Sequence, residues 1–400
     1  MRNLYIEKIN NLIESKKCRI GIIGLGYVGL PLSILFAKNN FKIVGFDIDQ
    51  KKILKIKKNE SYIDRISNKD INLINRNGNF YSKFSYIKKC DIIIICVPTP
   101  LKTNSNPDLS SIRETINSIK KFLRKGQVLI LESTSYPGTT NDEIYKKIKS
   151  KLKIGKNFFL GFSSERINPG KNENSIQKIP KVVSGYSKNC LDIISKFYSK
   201  SFNSIVKGKS IEIAEFSKLL ENIYRSVNIG FINEMKILAD KMNLDIFDVI
   251  ELANTKPYGF RRFFPGPGVG GHCIPVDPSY LYWKSVKIGL PAKFIKLSAD
   301  INILTLNFIL KKIFKNLKNN KILLSKSNIL ILGLSYKKNI DDIRESASLK
   351  LIDILFKKGV KNISIHDPYV EDKISGKKIK KIKFLNKKII KNFDLVVLMT

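Results

Sequence analysis

Hydrophobic positions along this chain keep two rhythms. From Arg19 to about Ser184, short apolar runs alternate with polar or amphipathic stretches. RIGIIG, FKIVGFD, DIIIICVPTP, GQVLILEST and NFFLGFSSER each read as strands, because compact runs of β-branched and aromatic residues bounded by Gly, Pro and polar groups suit a pleated surface. DIIIIC has no polar alternation and predicts a strand buried on both faces, as in a parallel sheet. A further strand is expected around Lys181–Ser184, and the Lys-rich stretch 50–89 reads as helices with surface loops. From about Ile211 the period becomes helical. EIAEFSKLLENIYRSVNIGFINEMKILADKM keeps it for about thirty residues, longer than a usual globular helix, and LPAKFIKLSADINILTLNFILKKIFKNL predicts a second long helix. The strand rhythm then returns in SNILILG, ISIHDPYV and DLVVLMT. The expected architecture is α/β: two doubly wound Rossmann-like units joined by a long central helix within a helical domain, with divisions at 1–205, 206–318 and 319–400.

Polar groups fall where such a fold builds sites. GLGYVG puts Gly24, Gly26, Tyr27, Val28 and Gly29 between the first strand and a helix, and Asp47 closes the second strand 23 residues after Gly24. Glycines there allow a tight turn and close approach to a pyrophosphate, and an acid at that point holds ribose hydroxyls; an acid rather than an Arg favours NAD over NADP. Thr99, Thr134, Glu165 and Arg166 follow later strands at their carboxyl ends, where ligands bind in open α/β sheets. Glu165 by position alone reads equally as a surface carboxylate. Lys218 and Asn222 are i and i+4 on the first long helix and so share a face. Asn228, Asn233 and Glu234 read as structural contacts.

The stretch GPGVGGHCIPVDPSYL, Gly266–Leu281, suits neither helix nor strand, because Gly and Pro disfavour element interiors. It reads as a rigid loop presenting the Cys273 thiol, with Asp277 four residues on. A buried small hydrophobe is the bland alternative for Cys273. In the last unit GLSYKKN lacks the dinucleotide glycines; Lys337 and Arg344 bracket its first turn, and His366 reads as a turn residue.

Composition narrows the class. At 400 residues and 43% hydrophobic the chain is globular, with room for two or three cores. Five Cys without CxxC spacing, and a first segment without a long apolar core, fit reduced thiols in a cytoplasmic protein. No apolar run approaches the roughly 20 residues that span a bilayer, so no membrane partner is expected. The net charge of +38 comes from Lys scattered over the predicted surface helices, without the aromatic-interleaved basic stripe of a nucleic-acid binder. Such a field attracts anionic nucleotides instead. No His/Cys cluster has metal-ligand spacing, so no metal is expected.

From GLGYVGLPLS through CVPTP, ESTSYPGTT, SSERINPG, EFSKLLENIYRSVNIGFINE and GPGVGGHCIPVDP to LGLSYKKNIDDIRES, the chain resembles the nucleotide-sugar 6-dehydrogenases over almost its full length. TKPYGF ahead of the Gly-rich loop, and Val276 where UDP-glucose dehydrogenases carry Lys, resemble the UDP-N-acetylhexosamine branch, most nearly the UDP-N-acetylglucosamine 6-dehydrogenases. The resemblance implies oxidation of the sugar's primary alcohol to a carboxylate with two NAD, for surface polysaccharide precursors. UDP-N-acetylmannosamine and UDP-glucose are alternative substrates.

It further implies Cys273 as nucleophile, forming a thiohemiacetal and then a thioester. Lys218 and Asn222 would stabilise the oxyanion, and Thr134, Glu165 and Asp277 would orient water or relay protons. Gly24, Gly26, Tyr27, Val28, Gly29, Asp47, Thr99, Thr134 and Arg344 would bind cofactor. Glu165, Arg166, Lys218, Asn222, Tyr258, Arg261, Gly268 and Lys337 would hold substrate, and the central helices would make a homodimer. Two departures stand out. Ser164 replaces the family's Pro, which loosens that turn, and the chain stops at Thr400 where the family adds a further strand, so an incomplete sheet edge is expected. A two-electron hydroxyacid dehydrogenase with a structural Cys273, and an inactive nucleotide-binding remnant, are the competing readings.

Overall fold

The computed structural model describes residues 3–63, 66–166, 173–271, 273–370 and 379–400. Two compact units divide at Leu220/Glu221, so all but the start of the expected helical segment falls in one unit with the second α/β segment.

In the first unit, described strands β1 (Arg19–Ile23), β2 (Lys42–Phe46), β3 (Gly78–Tyr81), β4 (Ile92–Ile95), β5 (Val128–Leu131), β6 (Phe159–Ser163), β7 (Lys181–Gly185) and β8 (Ile205–Lys207) form one sheet. The order is β3-β2-β1-β4-β5-β6-β7-β8. Every residue of β4, β5 and β6 is buried, as their unbroken apolar runs require when helices cover both faces. All pairings are parallel except β6 with β7, where Gly161 faces Gly185, Phe162 faces Ser184 and Ser163 faces Val183. β3 lies inside the stretch expected to be helix and loop. β6 ends at Ser163, two residues before the expected Glu165, which leaves Glu165 and Arg166 just past the sheet. The core runs from Ile9 and Ile13 of the N-terminal helix Leu4–Glu14, through the strands, to Phe197 and Tyr198 of the helix Lys188–Ser199.

The helix Ile211–Lys241 runs through the division between the units. The second unit adds helices Ile246–Asn254, Asp277–Lys287 and Lys293–Asn319, then β9 (Asn328–Leu332), β10 (Asn362–His366), β11 (Lys380–Lys381) and β12 (Leu395–Leu398) in the parallel order β11-β10-β9-β12. Its larger core joins Leu310, Ile313 and Leu317 to Ile329, Ile331, Leu351 and Leu355. His366 is not a turn residue: it is the last residue of β10, and its Nδ1 sits 2.8 Å from the Ile382 carbonyl.

The tightest constraint in the first unit lies where β1 meets the helix Gly29–Lys38. A Cβ on Gly29 would stand 1.9 Å from the Gly24 carbonyl oxygen, whereas one on Gly26 would find no atom within 4 Å. Gly29→Ala must therefore push helix from strand, at a cost of about 2 kcal/mol. Thermal melts should show a lower Tm for Gly29→Ala and a wild-type Tm for Gly26→Ala; equal melts would contradict this geometry.

Candidate active site

In the first unit the dinucleotide fingerprint takes the shape its residue types require. Gly24 has φ +90°, and a Cβ there would lie 2.7 Å from the Cys96 carbonyl oxygen. Gly29 opens the helix, and Tyr27 is exposed beside it. Asp47, buried at the end of β2, accepts the Leu25 N–H at 2.9 Å and the Asp49 N–H at 2.9 Å, while Lys52 Nζ lies 3.2 Å from Oδ2. The free space over Gly26 and the carboxylate beside it fit a pyrophosphate and a ribose. Thr99 is buried after β4, and Thr134 is half-buried after β5. Glu165 and Arg166 are half-buried beyond β6, and Arg166 Nη1 donates to the Pro180 carbonyl at 3.0 Å.

Lys218 and Asn222, one turn apart on the helix Ile211–Lys241, are both buried, as their apolar neighbours in sequence predict. In the second unit Asn222 Nδ2 donates to Asp277 Oδ2 at 2.5 Å. Asp277 is the first residue of its helix, and its N–H donates to the Cys273 carbonyl at 2.9 Å. The thiol is exposed, which removes the buried-hydrophobe reading of Cys273. His272 of the same motif, and residues 167–170 of SSERINPG, lie outside the described residues.

The Gly-rich loop is locked from several directions. Asn233, expected to be structural, accepts the Gly266 N–H at 2.9 Å and donates to Asn302 Oδ1 at 3.2 Å. Gly268 has φ +127°, and its absent Cβ would meet the Asn302 carbonyl at 3.2 Å. Gly270 and Gly271 lie against Tyr336, where a Cβ would come within 2.5 and 2.8 Å of that side chain. The Gly271 N–H donates to the Arg344 carbonyl at 3.0 Å. Arg344 itself forks Asp342, at 2.7 to 3.1 Å, while its neighbour Glu345 pairs with Lys350. Lys337 is half-buried in the same turn; Tyr258 and Arg261 are exposed.

Three segments of the chain match one family: residues 18–202 its NAD binding domain, 212–303 its central domain and 330–400 its UDP binding domain. The chain belongs to the UDP-glucose/GDP-mannose dehydrogenase family. It is 35% identical over 356 residues to a UDP-N-acetyl-D-glucosamine 6-dehydrogenase of Salmonella typhi, covering 88% of this chain and 83% of that one. Among solved structures, a UDP-D-ManNAc dehydrogenase of Pyrococcus horikoshii superposes with TM-score 0.86 at 30% identity, over 96% of this chain and 89% of that one. The UDP-N-acetyl-mannosamine dehydrogenase Cap5O of Staphylococcus aureus does so with TM-score 0.81 at 29% identity, over 95% and 88%. This family member is thus an NAD-dependent nucleotide-sugar dehydrogenase, an oxidoreductase with Rossmann-like domains. No described helix is long and apolar enough to cross a membrane.

Sequence reading missed the two most deeply buried carboxylates of the first unit. Glu132 follows β5 and binds Lys181 and Tyr198. Glu215 accepts the Gly138 N–H at 2.6 Å, the Thr140 N–H at 2.9 Å and the Thr140 hydroxyl at 2.7 Å. It thereby closes the YPGTT turn that starts the helical segment Thr140–Tyr145. Neither partnership has a sequence motif, since the partners stand 49 to 77 positions apart.

Burial pushes the Glu215 carboxyl up to about 7, against the pull of its three donors. The folded state then holds a proton that the unfolded chain releases near pH 4.5. Stability from this group is fully present below that pH and is lost as pH rises to about 7, by roughly 3 kcal/mol over the window. Melts from pH 4.5 to 8 should show the Tm of the wild type falling towards pH 7 relative to Glu215→Gln, then running parallel. A constant difference would mean Glu215 keeps one charge state throughout.

Proposed function

We propose that the enzyme oxidises the C6 alcohol of a UDP-N-acetylhexosamine, with UDP-N-acetylglucosamine the leading substrate, to the uronic acid by way of a Cys273 thioester. The observation that carries this reading is the exposed Cys273 thiol on a rigid loop, bonded through its backbone to Asp277, which in turn takes a hydrogen bond from Asn222. The structural alternative for Cys273 needs a buried side chain.

Gly24, Gly26, Tyr27, Val28, Gly29, Asp47, Thr99, Thr134 and Arg344 hold NAD in this reading. NAD supplies the hydride acceptor for both oxidations. The first oxidation converts the alcohol to an aldehyde, with one proton leaving to a base. The Cys273 thiolate then adds to the aldehyde carbon, giving a thiohemiacetal, which is what a good nucleophile gains by splitting a hard reaction into easier steps. Loss of a second hydride and proton leaves a thioester. Water attacks it, the C–S bond breaks, and the acid and the thiol are released. Lys218 and Asn222 donate to the oxyanion of each tetrahedral species, a role commonly worth about 3 kcal/mol per donor. Thr134, Glu165 and Asp277 orient the water and take its proton. Glu165, Arg166, Tyr258, Arg261, Gly268 and Lys337 bind the nucleotide sugar. The ranges 1–205, 206–318 and 319–400 serve as NAD-binding, helical and UDP-binding domains.

The proposed enzyme is a homodimer. Ile213, Phe216, Leu220, Tyr224, Phe231 and Leu238 are exposed at spacings of three, four and seven along one helix, a stripe that favours cover by a second copy. A reducing compartment, the cytoplasm, suits its nucleophilic thiol and its use of NAD.

The test is NADH yield at limiting UDP-N-acetylglucosamine. Two NADH per sugar are expected, and Cys273→Ala should lose the second oxidation. One NADH per sugar in the wild type would contradict the thioester route. Turnover of UDP-N-acetylmannosamine alone would move the substrate to the manno epimer. In sedimentation velocity, Phe231→Glu should convert a dimer to a monomer; a wild-type monomer would remove the helix stripe from the account.

A further inference from the structure

Beyond the carboxyl ends of β5 and β6 lies a buried charged cluster that the chemistry above leaves unused. Lys181 opens β7 and is 4% exposed. Its Nζ donates to Glu132 Oε2 at 2.9 Å and to the Ser164 carbonyl at 3.3 Å. The Tyr198 hydroxyl donates to the other oxygen of Glu132. The ammonium also stands 5.2 Å from the Tyr198 ring and 5.3 Å from the Phe202 ring, a setting that repays part of its lost hydration. An ammonium and a carboxylate this deep are tolerated only with good mutual geometry.

The place they hold is specific. The β6–β7 ladder ends at Ser163 opposite Val183, with the Ser163 hydroxyl donating to the Val182 carbonyl at 2.9 Å. Extended by two and three residues, that register sets Glu165 opposite Lys181 and Arg166 opposite Pro180. There the two segments hold each other by side chains. Lys181 grips the Ser164 carbonyl, and Arg166 grips the Pro180 carbonyl at 3.0 Å. Ser164 has no ring to fix its φ, so the clasp supplies a restraint the local chain lacks. Glu165 is near enough for its charge to act on the cluster. The Glu132 carboxyl is pushed up by burial, pulled down by Lys181 and pushed up again by Glu165; the Cys96 thiol is raised by burial and by both carboxylates.

We propose that Lys181 is a positioning residue: held by Glu132 and Tyr198, it fixes the Ser164–Arg166 turn and so sets where Glu165 and Arg166 are presented to the substrate. This rests on the reading of Glu165 and Arg166 as site residues. The alternative role is charge balance for Glu132 and nothing more.

The two roles separate in the full-length enzyme by comparing Lys181→Met with the double variant Glu132→Gln/Lys181→Met, reading Tm, NAD affinity, kcat and KM. Lys181→Met strands a buried carboxylate, so Tm and kcat should both fall. The double variant removes that charge, so Tm should recover with NAD affinity unchanged, while kcat stays about 10- to 100-fold below wild type because the Ser164 carbonyl is still unheld. Recovery of kcat to within about twofold of wild type in the double variant would overturn the proposal. Should both variants fail to fold, Tyr198→Phe decides: a several-fold loss of kcat with unchanged NAD affinity supports positioning, and wild-type kcat overturns it. Glu165→Gln is measured alongside. Wild-type activity there would remove the site reading itself, whereas a dead Glu165→Gln with a fully active double variant removes the role of Lys181 alone.

Discussion

A parallel strand that ends under a ligand site leaves backbone N–H groups with no strand to pair with, and this fold satisfies them with a carboxylate. In the first unit Gly24 follows the end of β1 and its N–H donates to the Phe46 carbonyl, and Asp47 accepts the next N–H, that of Leu25. The second unit repeats the device. Gly333, with φ +85°, follows the end of β9 and its N–H donates to the His366 carbonyl, and Asp367 accepts the N–H groups of Leu334 and Ser335. Each Asp also accepts the N–H two residues on, at Asp49 and at Tyr369. Two folded units of unlike sequence thus solve one backbone problem with one side chain, and the sites are laid out around the solution.

That repetition marks what was legible in the sequence. The first glycine fingerprint and Asp47 could be read, because a tight turn, a close approach and an acid each demand a residue type at a fixed offset. The second unit announced its strands by the same apolar runs, but Gly333 and Asp367 lack the intervening glycines and did not look like a counterpart. Helix lengths were legible wherever the apolar period ran on, as in Ile211–Lys241. The direction of β7 was not: KVVSG is too short to say whether it runs with or against its neighbour, and only the pairing with β6 sets it.

The site divides in the same way. Cys273, Asp277, Lys218 and Asn222 stood out by composition and spacing, and the bond between Asn222 and Asp277 joins two of them. The groups that hold the site in place were silent. Tyr336 carries no signal in sequence, yet its side chain is the surface on which Gly270 and Gly271 rest, so both glycines are required by contact, and Gly271, with φ +80°, by turn geometry too. Asn233 was read as a structural contact, and one of the bonds it makes is to the first residue of the Gly-rich loop.

The five cysteines differ in a way that matters for chemistry beyond the enzyme's own reaction. Cys18, Cys90, Cys96 and Cys190 are buried, and burial pushes the Cys18 and Cys90 thiols up to about 12. Only Cys273 meets solvent among them. A thiol exposed to solvent, as the proposed mechanism requires of Cys273, is equally open to peroxide and to small electrophiles, while its four siblings are shielded. Among the cysteines, oxidative stress would therefore strike at one sulfur: under the proposed mechanism it would silence the enzyme while the buried thiols stay shielded, and a thiol reductant would restore it for as long as the damage had gone no further than a sulfenic acid or a mixed disulfide.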